Sequence, residues 1–433
     1  MAEELKVAVI GGGYAGMAAA AALAGRGIPV AVFESARHLG GRARGVARDG
    51  LMLDNGQHIL LGCYRDTLKM IAQVGGNIER DFLRLPLQLT LHERFELKAP
   101  AWPPPLHLLA ALLTAHGLTL GQRLNAARFM LAMRHRDFRL AEDQPAYELL
   151  RDTYQDETLI RLLWEPICIS ALNTPVRKAS AQVLLNVLRD SLNGSFADSE
   201  MLLPRLDFSA LFPERAADYV KRHGGEVHLS CGIEAIVPVD GGFGLHTAES
   251  RRHFSHVVCA ASPANSARLL QALPDAREIG GQIEALHFQP IYTVYLQYPA
   301  HVRLPQAMLG LDGHLSQWLF DRGRIAGQDG LIAVVISAEG IHQALGHPHL
   351  AERVAAELRE ELGILDAPRW HQIIAEKRAT FSCEPGLARP GHLTPVSGLF
   401  LAGDYTAGDY PATLEGAVRS GLRCAAAISD VSA

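Results

Sequence analysis

The chain opens on a short apolar run, LKVAVI, in which β-branched residues recur without polar alternation; such a run reads as a strand buried on both faces. YAGMAAAAALAGRG follows and reads as a helix that stops at Gly25 or Gly27, and PVAVFE reads as a second strand. Together they form a β-α-β unit of the length a dinucleotide fold uses. From about Asn77 to Asp207 the pattern changes to Leu-, Ala- and Met-rich helical stretches behind a proline-rich entry, where Pro103, Pro104 and Pro105 predict an extended arm. Strand-like patterning returns in GGEVHLSCGIEAIVPVDGGFGLHT (224–247), with a Gly-Gly hairpin expected, and again in HVVCAASP, PIYTVYLQY and LIAVVISA. Val354, Leu358 and Leu362 in AERVAAELREEL share one face of a surface helix, and GLFLAGDYT, from Gly398, predicts a last buried strand and turn. No internal repeat is evident.

At 433 residues the chain exceeds one ordinary core, so two domains are expected. Hydrophobic residues make up 48% and charged residues 20%, the balance of a globular protein. A formal net charge of -5 argues against a nucleic-acid partner. Six cysteines (Cys63, Cys168, Cys231, Cys259, Cys383, Cys424) include no C-x-x-C pair, so neither a disulfide framework nor a metal site is expected. The N-terminal run is broken by glycines and reads as a strand, not a signal peptide; no stretch reaches the ~18 uninterrupted apolar residues of a spanning helix.

Gly11, Gly13 and Gly16 form G-x-G-x-x-G between the first strand and helix. The first glycine allows the turn, the second lets backbone approach a pyrophosphate, and the third lets the helix, with Ala15 in its first turn, pack on the strand. Alone the motif does not separate FAD from NAD. Glu34 ends the second strand, where a carboxylate accepts hydrogen bonds from ribose hydroxyls. HLGGRARG then sets Arg42 on the Gly40-Gly41 turn, a forked donor for a second face of the pyrophosphate that NAD enzymes do not need. Near the end, Asp404 follows Gly403 after a buried strand, where its carboxylate can bind a ribityl chain. ATLEGAVRSG starts a helix whose N-terminal dipole would favour an anionic reduced flavin.

VIGGGYAG, FES…GGRAR and LAGDYT…YPATLEGAVRSG together resemble the amine oxidase / phytoene desaturase group of FAD-dependent oxidoreductases. More narrowly, LDNGQHILLGCYRDTL, WEPICISALNTP and TFSCEPGLARPG look like the squalene-associated flavoproteins of the hydroxysqualene dehydroxylase group. The resemblance covers essentially the whole chain. It implies an α/β fold: a Rossmann-like FAD-binding domain of the glutathione reductase type (1–76, 208–265 and 385–433) with an inserted α+β substrate domain (77–207 and 266–384). By position it implies FAD contacts from the glycine loop (Gly11, Gly13, Ala15 and Gly16), Glu34, Gly41, Arg42, the Gly56-Gln57-His58 turn, Ile233, Gly403, Asp404 and the amide around Leu414. Thr413 stands where amine oxidases of the group carry an aromatic cage residue, and no cysteine stands where covalent flavin would attach, so non-covalent FAD is expected.

The implied substrate is an isoprenoid lipid, and the implied reaction replaces an allylic hydroxyl by hydride. His58 and Tyr410 are the candidates for the proton donor, with Asp54 and Asn173 behind them; each of the first two also fits a role in cofactor packing. The stretch 106–134 reads either as a core helix pair or as a surface that rests on a membrane. A cytoplasmic protein, peripheral on the inner face of the membrane and in contact with upstream squalene-pathway enzymes, is the expectation. A carotenoid-type desaturase uses the same scaffold with hydride moving the other way. Prenyl-escort proteins share the fold without redox work, but do not need Glu34, Arg42 and Asp404 together. Only one dinucleotide fingerprint is present, so no separate nicotinamide domain is expected.

Overall fold

The computed structural model describes residues 5–192 and 194–431. Five short strands form a parallel sheet: β1 (Val7–Ile10), β2 (Val30–Phe33), β3 (Glu226–His228), β4 (His256–Cys259) and β5 (Leu399–Leu401). Their order is β3-β2-β1-β4-β5, and every pairing is parallel. The order reverses between β1 and β4, which is the switch point where open α/β sheets bind ligands at the carboxyl ends of their strands. All four residues of β1 and of β2 are buried, as their continuous apolar runs require.

Helix α1 (Tyr14–Ala24) follows β1 and is buried at ten of its eleven residues, so its polyalanine character is that of an internal helix. The chain's final long helix packs across it. There a Cβ at Gly421 would meet the Ala15 carbonyl oxygen at 2.1 Å, so only glycine permits the approach. This contact brings the last segment of the chain back to the glycine loop of the first.

A second sheet has seven strands in the order 370–381, 288–297, 331–337, 318–321, 308–310, 88–91 and 95–98. Its central strands alternate. Val294, Leu296, Leu319, Val334 and Ile336 pack with Leu350, Val354 and Leu358 of the helix His347–Leu362. Tyr295, Trp318, Phe320, Ala333 and Val335 join the opposite core, which includes α2 (Leu106–Thr114), α3 (Leu120–His135) and α4 (Ala181–Leu192). The period of two along these strands thus separates a surface-helix layer from a helical layer facing the interior. A small sheet pairs 60–61 and 82–85 with 201–204 and ties the first segment of the chain to the insert.

Two local expectations are corrected. Pro103–Pro105 do not form an extended arm: the Leu106 N–H closes a turn onto the Pro103 carbonyl at 2.9 Å, and α2 starts directly after it. The hairpin in 224–247 does not turn on Gly-Gly either. Val239 pairs with Gly242, so the two-residue loop is Asp240-Gly241, the Asp-Gly sequence that tight hairpins favour.

Candidate active site

At the carboxyl ends of β1, β2 and β4 lies a cleft of about 800 Å³, at the upper end of the ~300–1,000 Å³ usual for ligand sites. Gly11, Gly13, Ala15, Glu34, Gly41, Arg42, Gly56, Gln57, His58, Ile233, Gly403, Asp404 and Leu414 all line it. Three segments spread over the length of the chain therefore converge as the motifs imply. Gly16 does not line the cleft; a Cβ there would meet the Gly11 carbonyl oxygen at 2.0 Å, so its part is close packing of α1 on the loop.

The loop geometry fits an anion of pyrophosphate type. Gly11 has φ +109°, and a side chain there would strike the Ala260 carbonyl. At Gly13, the N-cap of α1, an added Cβ would find nothing nearer than 3.9 Å, so the missing side chain leaves open space above a helix N-terminus. The Gly40-Gly41 turn abuts this loop, with the Gly40 N–H on the Gly12 carbonyl at 2.9 Å. Glu34 is buried at the end of β2. Its Oε2 accepts from the Gly12 N–H at 2.6 Å and its Oε1 from the Ala36 N–H at 2.8 Å, which fixes the carboxylate at the cleft wall.

Arg42 and Asp404 meet as an ion pair at 2.5 Å, and Arg42 also donates to the Ala379 carbonyl at 2.6 Å. Burial works against the guanidinium charge, but Asp404 outweighs it and the Arg42 pKa is raised. The sequence assigns these two residues separate duties; the structure locks them together, so each orients the other. The Gly403 N–H donates to Ser420 Oγ at 2.8 Å, and the Tyr405 ring occupies the space a Cβ on Gly403 would need. Helix α5 (Leu414–Val431) begins at the cleft, with its Gly416 N–H capped by Thr413 Oγ1 at 3.1 Å. Its first-turn Glu415 is fully buried and points elsewhere, accepting from the Asp66 and Thr67 N–H groups of the helix Arg65–Gln73.

The 55–58 turn is held from below by residues that sequence reasoning missed. Arg322 is buried, donating from Nη1 to Gln57 Oε1 at 3.2 Å and from Nε to Gln328 Oε1 at 2.9 Å. Gln57 Nε2 is buried without a hydrogen-bond partner, a donor left at the cleft wall that an acceptor-bearing ring would satisfy. Asp54 does not line the cleft. Its Oδ1 accepts from the Phe208 N–H at 2.8 Å, and burial pushes its pKa up to about 7 against the lowering influence of Arg322. Asn173 lines the cleft, but its amide is fully engaged by Thr380, the Pro290 carbonyl and the Ala338 N–H; it ties strands together.

The two leading proton-donor candidates separate clearly. His58 Nδ1 lies 2.7 Å from the Gly56 carbonyl, so that nitrogen carries the proton of a neutral ring. Burial lowers the His58 pKa, and Nε2 is then an acceptor. Tyr410 does not line the dinucleotide cleft. It lines an adjoining apolar chamber, where its hydroxyl is buried and has no hydrogen-bond partner. Burial raises its pKa strongly and Cys63 and Asp190 add to this; the Asp190 carboxylate lies near the hydroxyl without a formed hydrogen bond, and the Arg419 guanidinium lies 4.4 Å over the ring.

That chamber is walled by Leu89, Leu108, Leu112, Met130, Trp164 and Trp318, among others. Its own volume is about 180 Å³, but Ile59, Tyr64, Ser170, Ala171, Met308, Trp318 and Thr413 line both it and the cleft, so the two spaces meet. Trp164 ends a π-helical turn, Ile160–Trp164, a local widening frequent at functional sites. Cys63 lines the chamber, and burial pushes its thiol up to about 12, so it stays protonated. No cysteine lines the cleft among the described residues.

The family described as flavin containing amine oxidoreductase matches residues 14–429. Hydroxysqualene dehydroxylase of Rhodopseudomonas palustris is 30% identical over 97% of each chain. Zeta-carotene desaturase of Arabidopsis thaliana is 24% identical, covering 99% of this chain and 86% of that one. Among solved structures, a putrescine oxidase triple mutant superimposes with a TM-score of 0.75 at 16% identity, covering 99% of each chain.

Proposed function

The chain belongs to the flavin-containing amine oxidoreductase family, and from that premise we propose that it dehydroxylates hydroxysqualene reductively to squalene. It is an FAD-dependent oxidoreductase whose cleft residues fit the cofactor. The glycine loop and Arg42 would hold the pyrophosphate, Glu34 the ribose and Asp404 the ribityl chain, while the α5 N-terminus and the 56–58 turn would face the ring. With no cysteine on the cleft wall to form a link, we propose that the FAD is non-covalent. Acid denaturation should then release all of the yellow chromophore into the supernatant.

The observation that carries this reading is an apolar chamber meeting the dinucleotide cleft, with a buried, unpartnered phenol on its wall. Apolar walls bind a polyprene at about 0.8 kcal/mol per buried CH₂ and keep out water that would trap an allylic cation. When bound, the flavin supplies the hydride. Tyr410 O–H donates to the substrate oxygen; as the C–O bond breaks, the departing hydroxide takes that proton and leaves as water. Arg419 over the ring favours the transient phenolate. The neutral His58 holds the 56–58 turn in shape.

Anaerobic mixing of the flavin-reduced protein with hydroxysqualene tests the reaction: one squalene should form for each flavin reoxidised. The carotenoid desaturase relative supports a second reading, in which oxidised protein is bleached by a C30 or C40 polyene with no reaction of the alcohol. Glu34→Ala should weaken FAD retention by roughly 10- to 100-fold, the loss expected for hydrogen bonds to a charged group. Unchanged FAD affinity in a dialysis titration would count against the ribose assignment.

A membrane surface is the proposed source of the lipid. Among the described residues no helix is long and apolar enough to cross a membrane. Yet Leu106, Leu113, Leu120, Leu124 and Leu131 of α2 and α3 are exposed, as is Trp102 before them, while Leu108, Leu112 and Met130 of the same helices line the chamber. The sequence 103–136 contains no Asp or Glu and has arginines at 123, 128, 134 and 136. We expect co-sedimentation with phosphatidylglycerol vesicles that weakens in high salt. Leu120→Glu with Leu131→Glu should lower it by about tenfold or more, at ~1.5 kcal/mol per leucine withdrawn from lipid. Sedimentation unaffected by the pair would remove this face from the account.

A further inference from the structure

We propose that Asp190 determines the chamber's specificity: with Tyr410 it recognises the hydroxyl group of a polyprenyl alcohol and disfavours the hydrocarbon that lacks it. The inference takes the identity of the alcohol from the dehydroxylation reading.

Helix α4 gives the chamber Val187, Leu188, Ser191 and Leu192, from two successive turns. Asp190 is on the same wall and is the one carboxylate among the chamber's lining residues. Its position has no benefit for the helix. The last turn is the negative end of the helix dipole, where an acidic side chain is unfavourable. Arg189 Nε holds Asp190 Oδ1 at 2.7 Å, and only 22% of the Asp190 side chain is exposed. Arg189 engages Oδ1, so a carboxylate at the wrong helix end, set in an apolar wall, has Oδ2 for a further donor.

The second observation concerns the phenol that Asp190 faces, whose protonated form the carboxylate favours. The Tyr410 hydroxyl on the same wall is buried with no partner, although an unpaired buried polar group costs about 1–3 kcal/mol. One ligand group completes both. An alcohol O–H donates to Asp190 while its oxygen accepts from Tyr410. No other single functional group on a hydrocarbon chain is both donor and acceptor at one atom as simply as a hydroxyl. After dehydroxylation the product offers neither, so its binding leaves the Tyr410 hydroxyl unpaired and Asp190 with Arg189 alone, and its release is favoured.

Oxidised holoenzyme tests this without turnover, because it has no hydride to give. Trp164 and Trp318 line the chamber, so their fluorescence reports occupancy by hydroxysqualene or by squalene. The wild type should bind the alcohol at least about 100-fold more tightly than the hydrocarbon, the discrimination of a site whose polar groups the analogue leaves unpaired. Asp190→Leu should reduce that preference below about tenfold while squalene binding holds or tightens, and Asp190→Asn should fall between. Equal binding of both ligands by wild type, a preference intact in Asp190→Leu, or equal loss of both ligands in both variants would overturn the proposal. A preference that stands while reduced protein forms no squalene would leave the role of Asp190 in place and overturn the reaction alone.

Discussion

Tyr410→Phe lowers kcat on hydroxysqualene by about 10²- to 10⁴-fold, the range of a lost general acid. KM rises far less, and the flavin spectrum and FAD content match wild type, because Tyr410 lines the chamber and not the cleft. A departing hydroxide is a very poor leaving group unless a proton reaches it, and the Tyr410 phenol, buried without a hydrogen-bond partner, is the donor free to give one. Burial keeps that phenol protonated at every physiological pH, so the alkaline limb of the rate profile should not report it. His58→Gln provides the control. Its ring is neutral with Nδ1 committed to Gly56, so its loss should cost less than Tyr410→Phe in single-turnover rate. The opposite ranking would move the proton donor to His58.

Arg322→Met is expected to destabilise the protein by about 3 kcal/mol or more, from two hydrogen bonds of a charged donor at roughly 1.5–3 kcal/mol each. The substitution leaves Gln57 and Gln328 without their donor and takes away the cation that lowers the Asp54 pKa. It should show as a lower denaturant midpoint and as weaker FAD binding, since Gln57 belongs to the 55–58 turn. Arg322→Met with Asp54→Asn should recover part of the loss, which a double-mutant cycle measures. The sign with pH follows from Asp54. Its folded pKa of about 7 lies above the ordinary 3.8, so between those values the folded state holds a proton the unfolded chain has released. Its contribution is fully present below about pH 4 and declines as pH rises towards 7. Asp54→Asn should flatten that decline; an unchanged slope would place the titrating group elsewhere.

The cofactor half of the site was legible because its grammar is local. A strand, a glycine turn and a helix N-terminus lie within ten residues of each other, and Glu34 ends the strand that follows. Asp404 and the α5 start were legible through resemblance, but their pairing with Arg42 was not, since 362 positions separate the two. Arg322 and Asp190 left no sequence signal. One is an arginine after a strand, the other an acid in an amphipathic helix, and both readings are ordinary until distant segments close around them. The chamber was foreseen only as an apolar texture. Its walls come from α2, α3, α4 and strands of the second sheet, so no window of the chain contains it. The hairpin at Asp240-Gly241 shows the limit at short range: three consecutive turn-forming residues permit more than one loop, and strand pairing chose.

The most direct test of the account is isotopic. Reduced holoenzyme equilibrated in D₂O carries deuterium at the flavin position that gives hydride, because that position exchanges with solvent. On reaction with unlabelled hydroxysqualene under anaerobic conditions, the account predicts squalene with one deuterium on the carbon that lost its oxygen, in amount equal to flavin reoxidised. Squalene without the label, or reoxidised flavin without squalene, would contradict it.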